Sequence, residues 1–377
     1  MPWKGAVAVS DVRLTFVHQI VTLGTPITQA CREHGISRKT GYKWIRRYRQ
    51  GGSKTLGDRS RRPHNSPGKT KHQIEMAVVQ THDRYHWGAA KVHAYLSRNK
   101  SIKLPSVRTV HQILKRNHRV HNAPPVENVV QRFEWKRPNQ LWQMDFKANL
   151  QIQRQRIYPL TIMDDHSRYL LKLIGCGNTQ YSTAWSVLWD LMADVGMPQA
   201  VLSDNYFGNR GRIGLSWFES QLIRLDISPI HGRIYHPQTQ GKVERLHGTM
   251  QRELWPYINT STVNQFNGEL ERWRTDVYNT VRPHESLQMH CPITRWKPSK
   301  RQRPDFVPTA EYPSGSILRK VHPAGCISYR NCRIVVGMGL SGQYVRIYES
   351  DGRLSVSYCW KQIRDISLDS LKPYCLI

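Results

Sequence analysis

The apolar residues of this chain change rhythm at Gln140. Before it they recur at helical spacing, as in Val12, Phe16, Ile20 and Leu23. After it they gather in short runs: Leu141–Phe146, Ile157–Met163 and Tyr169–Ile174. A helical period does not sit in a sheet, so the 377 residues must hold at least two architectures in series. Beyond the third run the pattern predicts a helix over Thr179 to Val195, a short buried strand at Val201 and Leu202, and another strand over Ile227–Ile230. A further helix is expected from about Lys242 to Leu254. Adjacent strands followed by alternating strands and helices specify a mixed α/β layer.

The front of the chain reads as small helical domains. Gly24, Thr25 and Pro26 end the first helix, a second runs from Ile27 to His34, and Gly35 makes a turn before Ser37, a good N-cap for a third helix over Arg38 to Arg49. This is helix-turn-helix spacing, with Arg38, Lys39, Thr40 and Lys43 facing outward toward phosphates and base edges, and a plain three-helix bundle as the alternative. Residues 69–118 repeat the pattern more loosely, with Ser106 capping the last helix and Arg108 and Lys115 among its outward side chains. Between the two lies a Gly-, Pro- and Arg-rich stretch whose Arg59, Arg61 and Arg62 suit a basic arm in a minor groove, or a flexible connector.

Charge supports the same division. Residues 1–139 carry 27 Lys+Arg against 7 Asp+Glu, whereas the rest carries 29 against 20. Positive charge concentrated between folded segments suits a duplex phosphate backbone. A membrane is disfavoured, because no run of 18 apolar residues, secretory signal or long basic amphipathic helix is present. The seven cysteines are scattered without a CxxC pair, which points to a reducing cytosol and against a disulfide framework or a zinc finger.

Three acids fall where their elements aim them at one edge: Asp145 in the first strand, Asp204 just past the short buried strand, and Glu244 at the border of the stripe Val243, Leu246, Met250 and Leu254. Converging carboxylates repel one another unless they hold a hard divalent cation, and oxygen ligands suit magnesium or manganese. Two such ions activate one oxygen and stabilise another in displacement at phosphorus. A lone acid is more often a solvated charge or a cap, and Asp164, Asp165, Asp190 and Glu219 read that way, the first two at a hairpin turn. Lys242 and Arg245 flank Glu244 and suit a DNA strand, or a bland surface role. His236 and His247 are structural or handle a proton.

Trp142-Gln143-Met144-Asp145-Phe146, Leu202-Ser203-Asp204-Asn205 and His236-Pro237-Gln238-Thr239-Gln240-Gly241-Lys242-Val243-Glu244-Arg245 resemble the three catalytic motifs of bacterial insertion-sequence transposases with a retroviral-integrase-type core. Tyr278 to His284 and Ile36 to Trp44 extend the resemblance, which covers roughly residues 10 to 365. It implies a ribonuclease-H-like fold, a DDE triad of Asp145, Asp204 and Glu244 holding two magnesium or manganese ions, and DNA cleavage followed by strand transfer. It also implies binding to terminal inverted repeats and target DNA as a homodimer or larger assembly, in a bacterial cytoplasm near the nucleoid. Two positions depart from the family pattern: Tyr206, often Gly, and Gln251, often Lys or Arg. They keep open the alternative of a catalytically inactive, domesticated repressor.

The tail carries short strand-like runs between Ile317 and Tyr358 separated by Gly and Asp-Gly turns. The whole is expected to be multidomain: all-α helix-turn-helix domains at 1–50 and 69–118, linkers at 51–68 and 119–139, an α/β ribonuclease-H-like core at 140–296, a basic linker at 297–316, and a small all-β SH3-like barrel at 317–377.

Overall fold

The computed structural model describes residues 9–59, 69–99, 103–120, 134–204, 214–231 and 241–371. Arg61, Arg62, Tyr206, His236 and the polar loop up to Gln240 lie outside them. The chain divides into two compact units, Met1–Lys69 and Thr70–Ile377.

The first unit is three helices, α1 (Val9–Val21), α2 (Ile27–Glu33) and α3 (Arg38–Gly51). The Ser37 hydroxyl accepts the Thr40 amide at 3.3 Å and caps α3. Phe16, Val17, Ala30, Cys31, Ile36, Trp44, Ile45 and Leu56 form the core. Leu23 is 67% exposed, because α1 stops at Val21 before that position can turn inward. Gly41 lets α3 approach its neighbours: a Cβ there would lie 2.6 Å from Cys31 Sγ and 3.0 Å from Phe16 Cζ.

The second unit opens with α4 (His72–Tyr85), α5 (Ala89–Asn99) and α6 (Val107–Arg116), the last capped by Ser106 as expected. Val277 and Val281 of the following layer pack into the same cluster as Val110, Ile113 and Leu114 of α6. The helix-turn-helix segment at 69–118 is therefore built onto the layer behind it.

That layer is a mixed sheet. β1 (Leu141–Phe146), β2 (Leu150–Ile152), β3 (Gln155–Asp164) and β4 (Leu170–Cys176) precede α7 (Tyr181–Val195), β5 (Ala200–Ser203), α8 (Trp217–Arg224), β6 (Ser228–His231), α9 (Gly241–Glu253) and α10 (Val263–Arg272), which continues as a π-helical turn over Trp273–Asn279. The order is β2-β3-β1-β5-β6 with β4 also on β3, and β1, β5 and β6 run parallel. Both faces are covered. Trp142, Met144, Leu160, Ile162 and Val201 pack on α7 and α8, while Ile157, Met163, Leu170 and Leu173 pack on α9 and α10.

The tail is antiparallel, with β7 (Ile317–Lys320), β8 (Cys326–Tyr329), β9 (Cys332–Val335), β10 (Tyr344–Ser350), β11 (Arg353–Tyr358) and β12 (Lys361–Ser367). A four-stranded sheet, β12-β11-β10-β7, and the β8-β9 hairpin share one core, in which Leu215 and Ile223 of the preceding layer join Val345, Ile347, Leu354 and Val356. β12 carries no clean alternation of burial, which is why its sequence does not announce a strand. Residues 297–316 are not a free basic linker. Arg301 donates to the carbonyls of Pro198, Leu225 and Asp226, and the Arg303 guanidinium lies 4.1 Å from the Trp189 ring centroid, so both charges are held against the α/β layer. Among the described residues no helix is long and apolar enough to cross a membrane.

Gly41→Val is expected to destabilise the first unit by about 1–3 kcal/mol through overpacking. Calorimetry of the full chain should show one transition moving down; an unchanged trace would mean that α3 does not pack on Cys31 and Phe16.

Candidate active site

The strand register does most of the assembly. β1 and β5 pair Leu141 with Ala200, Trp142 with Val201 and Gln143 with Leu202. Continuing that register by two residues sets Asp145 beside Asp204, on strands about 4.8 Å apart and on the same face. α9 packs over that face, burying Val243, Leu246 and Met250 and leaving Glu244 exposed at its border. Burial, and then the charges of Asp204 and Glu244, push the Asp145 carboxyl up to about 7, against the lowering pull of the Phe146 amide and Lys147. The structure thus brings Asp204 and Glu244, the other two acids predicted from sequence, close enough for their charges to act on Asp145. Among the described residues no three Asp, Glu, His or Cys close in on a common point, so the set is an open one. Its donor chemistry, carboxylates whose repulsion is felt at Asp145, fits a hard divalent cation.

A second layer of polar contacts fixes these elements. Thr161 Oγ1 donates to the Asp145 carbonyl at 3.1 Å and lies 3.1 Å from His247 Nε2. The single Thr161 proton goes to the carbonyl, so His247 donates from Nε2 and its bare Nδ1 faces Asp145 Oδ2 at 3.9 Å. Burial, helped by Lys147, pulls His247 down to about 4, so it is neutral near pH 7.

The pair read as a surface turn is instead fully buried, Asp164 and Asp165 both at 0% exposure. Asp164 accepts from the Asn139 amide and from the Ser167 amide and hydroxyl. Asp165 accepts from Gln143 Nε2 at 2.7 Å, the Trp135 amide at 2.8 Å and Lys242 Nζ at 2.5 Å. Nothing in the local sequence separates such a turn from a solvated one; residues far away in the chain bury it. Lys242 is accordingly built into the protein rather than offered to solvent, its side chain 11% exposed and its ammonium pulled down to about 8 by burial and by Arg168. Glu219, read as a surface charge or cap, closes a capping box with Ser216 and also accepts from His231 at 2.8 Å.

The remaining basic candidates divide. Arg38, Lys39 and Lys43 are exposed on α3, while Thr40 is half-buried and its hydroxyl lies 3.0 Å from that of Ser37. Arg59 is exposed, Arg108 and Lys115 are exposed on α6, and Arg245 is exposed beside Glu244. One polar cluster had no signal in the sequence. Glu253, at the far end of α9, accepts from Arg282 at 2.7 and 2.8 Å, from Lys91 at 3.2 Å and from the Trp87 indole at 3.0 Å.

Comparison with known proteins agrees with this layout. Residues 136–237 and 225–292 match integrase core domain models, residues 14–64 match a helix-turn-helix domain, and residues 40–114 match a homeodomain-like domain. A Gag-Pro-Pol polyprotein of squirrel monkey retrovirus is 31% identical over 117 residues, 31% of this chain, and the chain spans only 6% of that polyprotein. Among solved structures, a simian T-cell lymphotropic virus intasome in complex with PP2A regulatory subunit B56 gamma aligns over 77% of this chain and 98% of its own, at 17% identity and a TM-score of 0.36. The HTLV-2 integrase catalytic core domain in complex with magnesium, in its trimeric form, aligns over 42% of this chain and 97% of its own, at 15% identity and a TM-score of 0.31. The chain therefore carries two helix-turn-helix domains followed by an integrase core, the domain order of a DDE transposase. That core belongs with the polynucleotidyl transferases.

The Asp145 carboxyl takes up its proton at higher pH in the folded chain than in the unfolded one. Its contribution to stability is full below about pH 4 and is lost as the pH rises toward 7. Without divalent metal at pH 8, Asp145→Asn is expected to be the more stable protein, by at most about 4 kcal/mol. The advantage should shrink as the buffer is taken to pH 5, which denaturant titrations at both pH values would measure.

Proposed function

We propose that the chain is an insertion-sequence transposase that binds terminal inverted repeats, cuts DNA beside them and joins the freed end to target DNA. The observation that supports the reading is the parallel β1–β5 register, which continued two residues past its last pair sets Asp145 beside Asp204, with Glu244 on the helix that packs over that face and both acids acting on the Asp145 carboxyl. Asp145, Asp204 and Glu244 would hold two magnesium or manganese ions, which when bound supply an activated attacking oxygen and a stabilised leaving oxygen. Every other task falls to the chain. Arg38, Lys39, Thr40 and Lys43 on α3, with Arg108 and Lys115 on α6, grip phosphates and read base edges. Arg59, Arg61 and Arg62 serve as a basic arm. Arg245, exposed next to Glu244, holds the strand to be cut. Lys242, tied to Asp165, orients the start of α9 instead of touching DNA. Water first, and then the freed 3′ hydroxyl, attacks phosphorus without a covalent protein–DNA intermediate. Two element ends must be held together, so the working form is a homodimer or larger assembly on DNA, and its site of action is the bacterial cytoplasm at the nucleoid.

The test is a strand-transfer assay with labelled duplexes copied from the repeats flanking the gene, a plasmid target, and magnesium or manganese. Asp145→Asn, Asp204→Asn and Glu244→Gln should each lower joining at least about a hundredfold while leaving duplex binding intact. Magnesium should also raise the Tm of the parent and not that of Asp145→Asn. Specific binding with no cleavage or joining in either metal would favour a repressor. Separately, Arg108→Ala with Lys115→Ala should reduce the slope of log affinity against log salt by about 2, as loss of two phosphate contacts requires.

A further inference from the structure

The second helix-turn-helix domain is anchored to the same helix that presents Glu244. Glu253 ends α9, nine residues and about 13 Å along the helix from Glu244. Its carboxylate, 6% exposed, receives Trp87 and Lys91 from the helical domain and Arg282 from beyond the π-helical turn. His86 stacks on Tyr257, just past α9, with centroids 3.7 Å apart and planes 3° from parallel. Arg98 of α5 donates to Cys291 Sγ at 3.3 Å. Beneath these polar contacts, Val277 and Val281 join the cluster formed by Val110, Ile113 and Leu114 on the inner side of α6. The opposite side of α6 keeps Arg108, His111 and Lys115 exposed. From the inner side of α6 to α9 the path runs through the apolar cluster that Val277 and Val281 join and through the hydrogen bonds that Trp87, Lys91 and Arg282 make to Glu253.

We infer that α6 and the catalytic acids form one rigid piece, so that the protein itself fixes the number of base pairs between the sequence α6 reads and the phosphate that is cut. The inference rests on the transposase reading and adds to it the element that sets the cleavage position. One base pair advances a strand by about 3.4 Å. A displacement of about 1 Å at a reacting centre already costs about a hundredfold in rate, so the piece cannot stretch to absorb a change in spacing. Trp87 and Lys91 are positioning residues: they act on the cut through Glu253 and α9.

The test begins with the full chain carrying Asp145→Asn, used to select bound duplexes from a random-sequence pool. The bases contacted by α6 are those that lose protection when Arg108→Ala and Lys115→Ala are added. The wild-type chain is then given the selected duplex with one or two base pairs inserted or deleted between those bases and the mapped cut. The expected result is a cut that moves with the α6 bases, cleavage at the original phosphate falling at least about tenfold. A cut that stays at the original phosphate would overturn the inference. Trp87→Phe with Lys91→Met should keep binding to the selected duplex but spread cleavage over neighbouring phosphates; a single unchanged cut in that variant would also count against it. Binding with no cleavage of any duplex in either metal would instead remove the transposase reading, and this inference with it. The wild-type spacing series decides the matter whether or not the double variant folds.

Discussion

The parallel pairing of β1 and β5 is the constraint from which the rest of the second unit follows. Parallel neighbours cannot be joined by a tight turn, so the chain between them must cross over, and α7 does so on one face. Strands in such a pair are buried on both sides, which forces a second helical layer. α9 and α10 supply it, and the Asp145 side of the sheet comes to lie under the helix that bears Glu244. The approach of Asp145 to Asp204 therefore arises from the same register that makes the core.

The cost of that arrangement is electrostatic. Asp145 is held against its ordinary ionisation by burial and by two like charges, a strain that folding alone gives no reason to keep. Around it the protein places two buried ion pairs at opposite ends of α9: Lys242 with Asp165 in the first turn, and Arg282 with Glu253 in the last. Such pairs contribute little compared with well-packed apolar side chains, yet losing one partner strands a charge in the interior at about 3–5 kcal/mol. Their value here is directional. Together they fix where α9 starts, where it ends and how it is rotated, and so where Glu244 stands relative to β1.

The two helix-turn-helix segments have similar sequences of helices and different mechanical situations. The first closes its own core around Trp44, over which the Arg13 guanidinium lies at 3.9 Å. The second completes its core only with Val277 and Val281, so its fold and that of the integrase layer stabilise each other. A small three-helix unit buries a modest fraction of its surface, and borrowing apolar area from a neighbour is one remedy.

The sequence by itself determined the elements and where the acids at 145, 204 and 244 fall on them. Period, capping residues and β-rich runs located α3, α6, β1, β5 and α9, because those signals depend on neighbours three or four positions away. The acids at 145, 204 and 244 were legible because they stand at the ends or borders of those elements. What only the tertiary structure decided were the partners of charge. Asp164, Asp165 and Lys242 read as solvent-facing, and Arg301 and Arg303 fall in a stretch read as a basic linker, but each is held by residues from another part of the chain. Glu253 gave no signal at all, since Trp87 and Lys91 lie more than 160 positions away. Local pattern reports which face of an element is apolar; whether a charge on the other face meets water or a partner depends on what the fold brings against it.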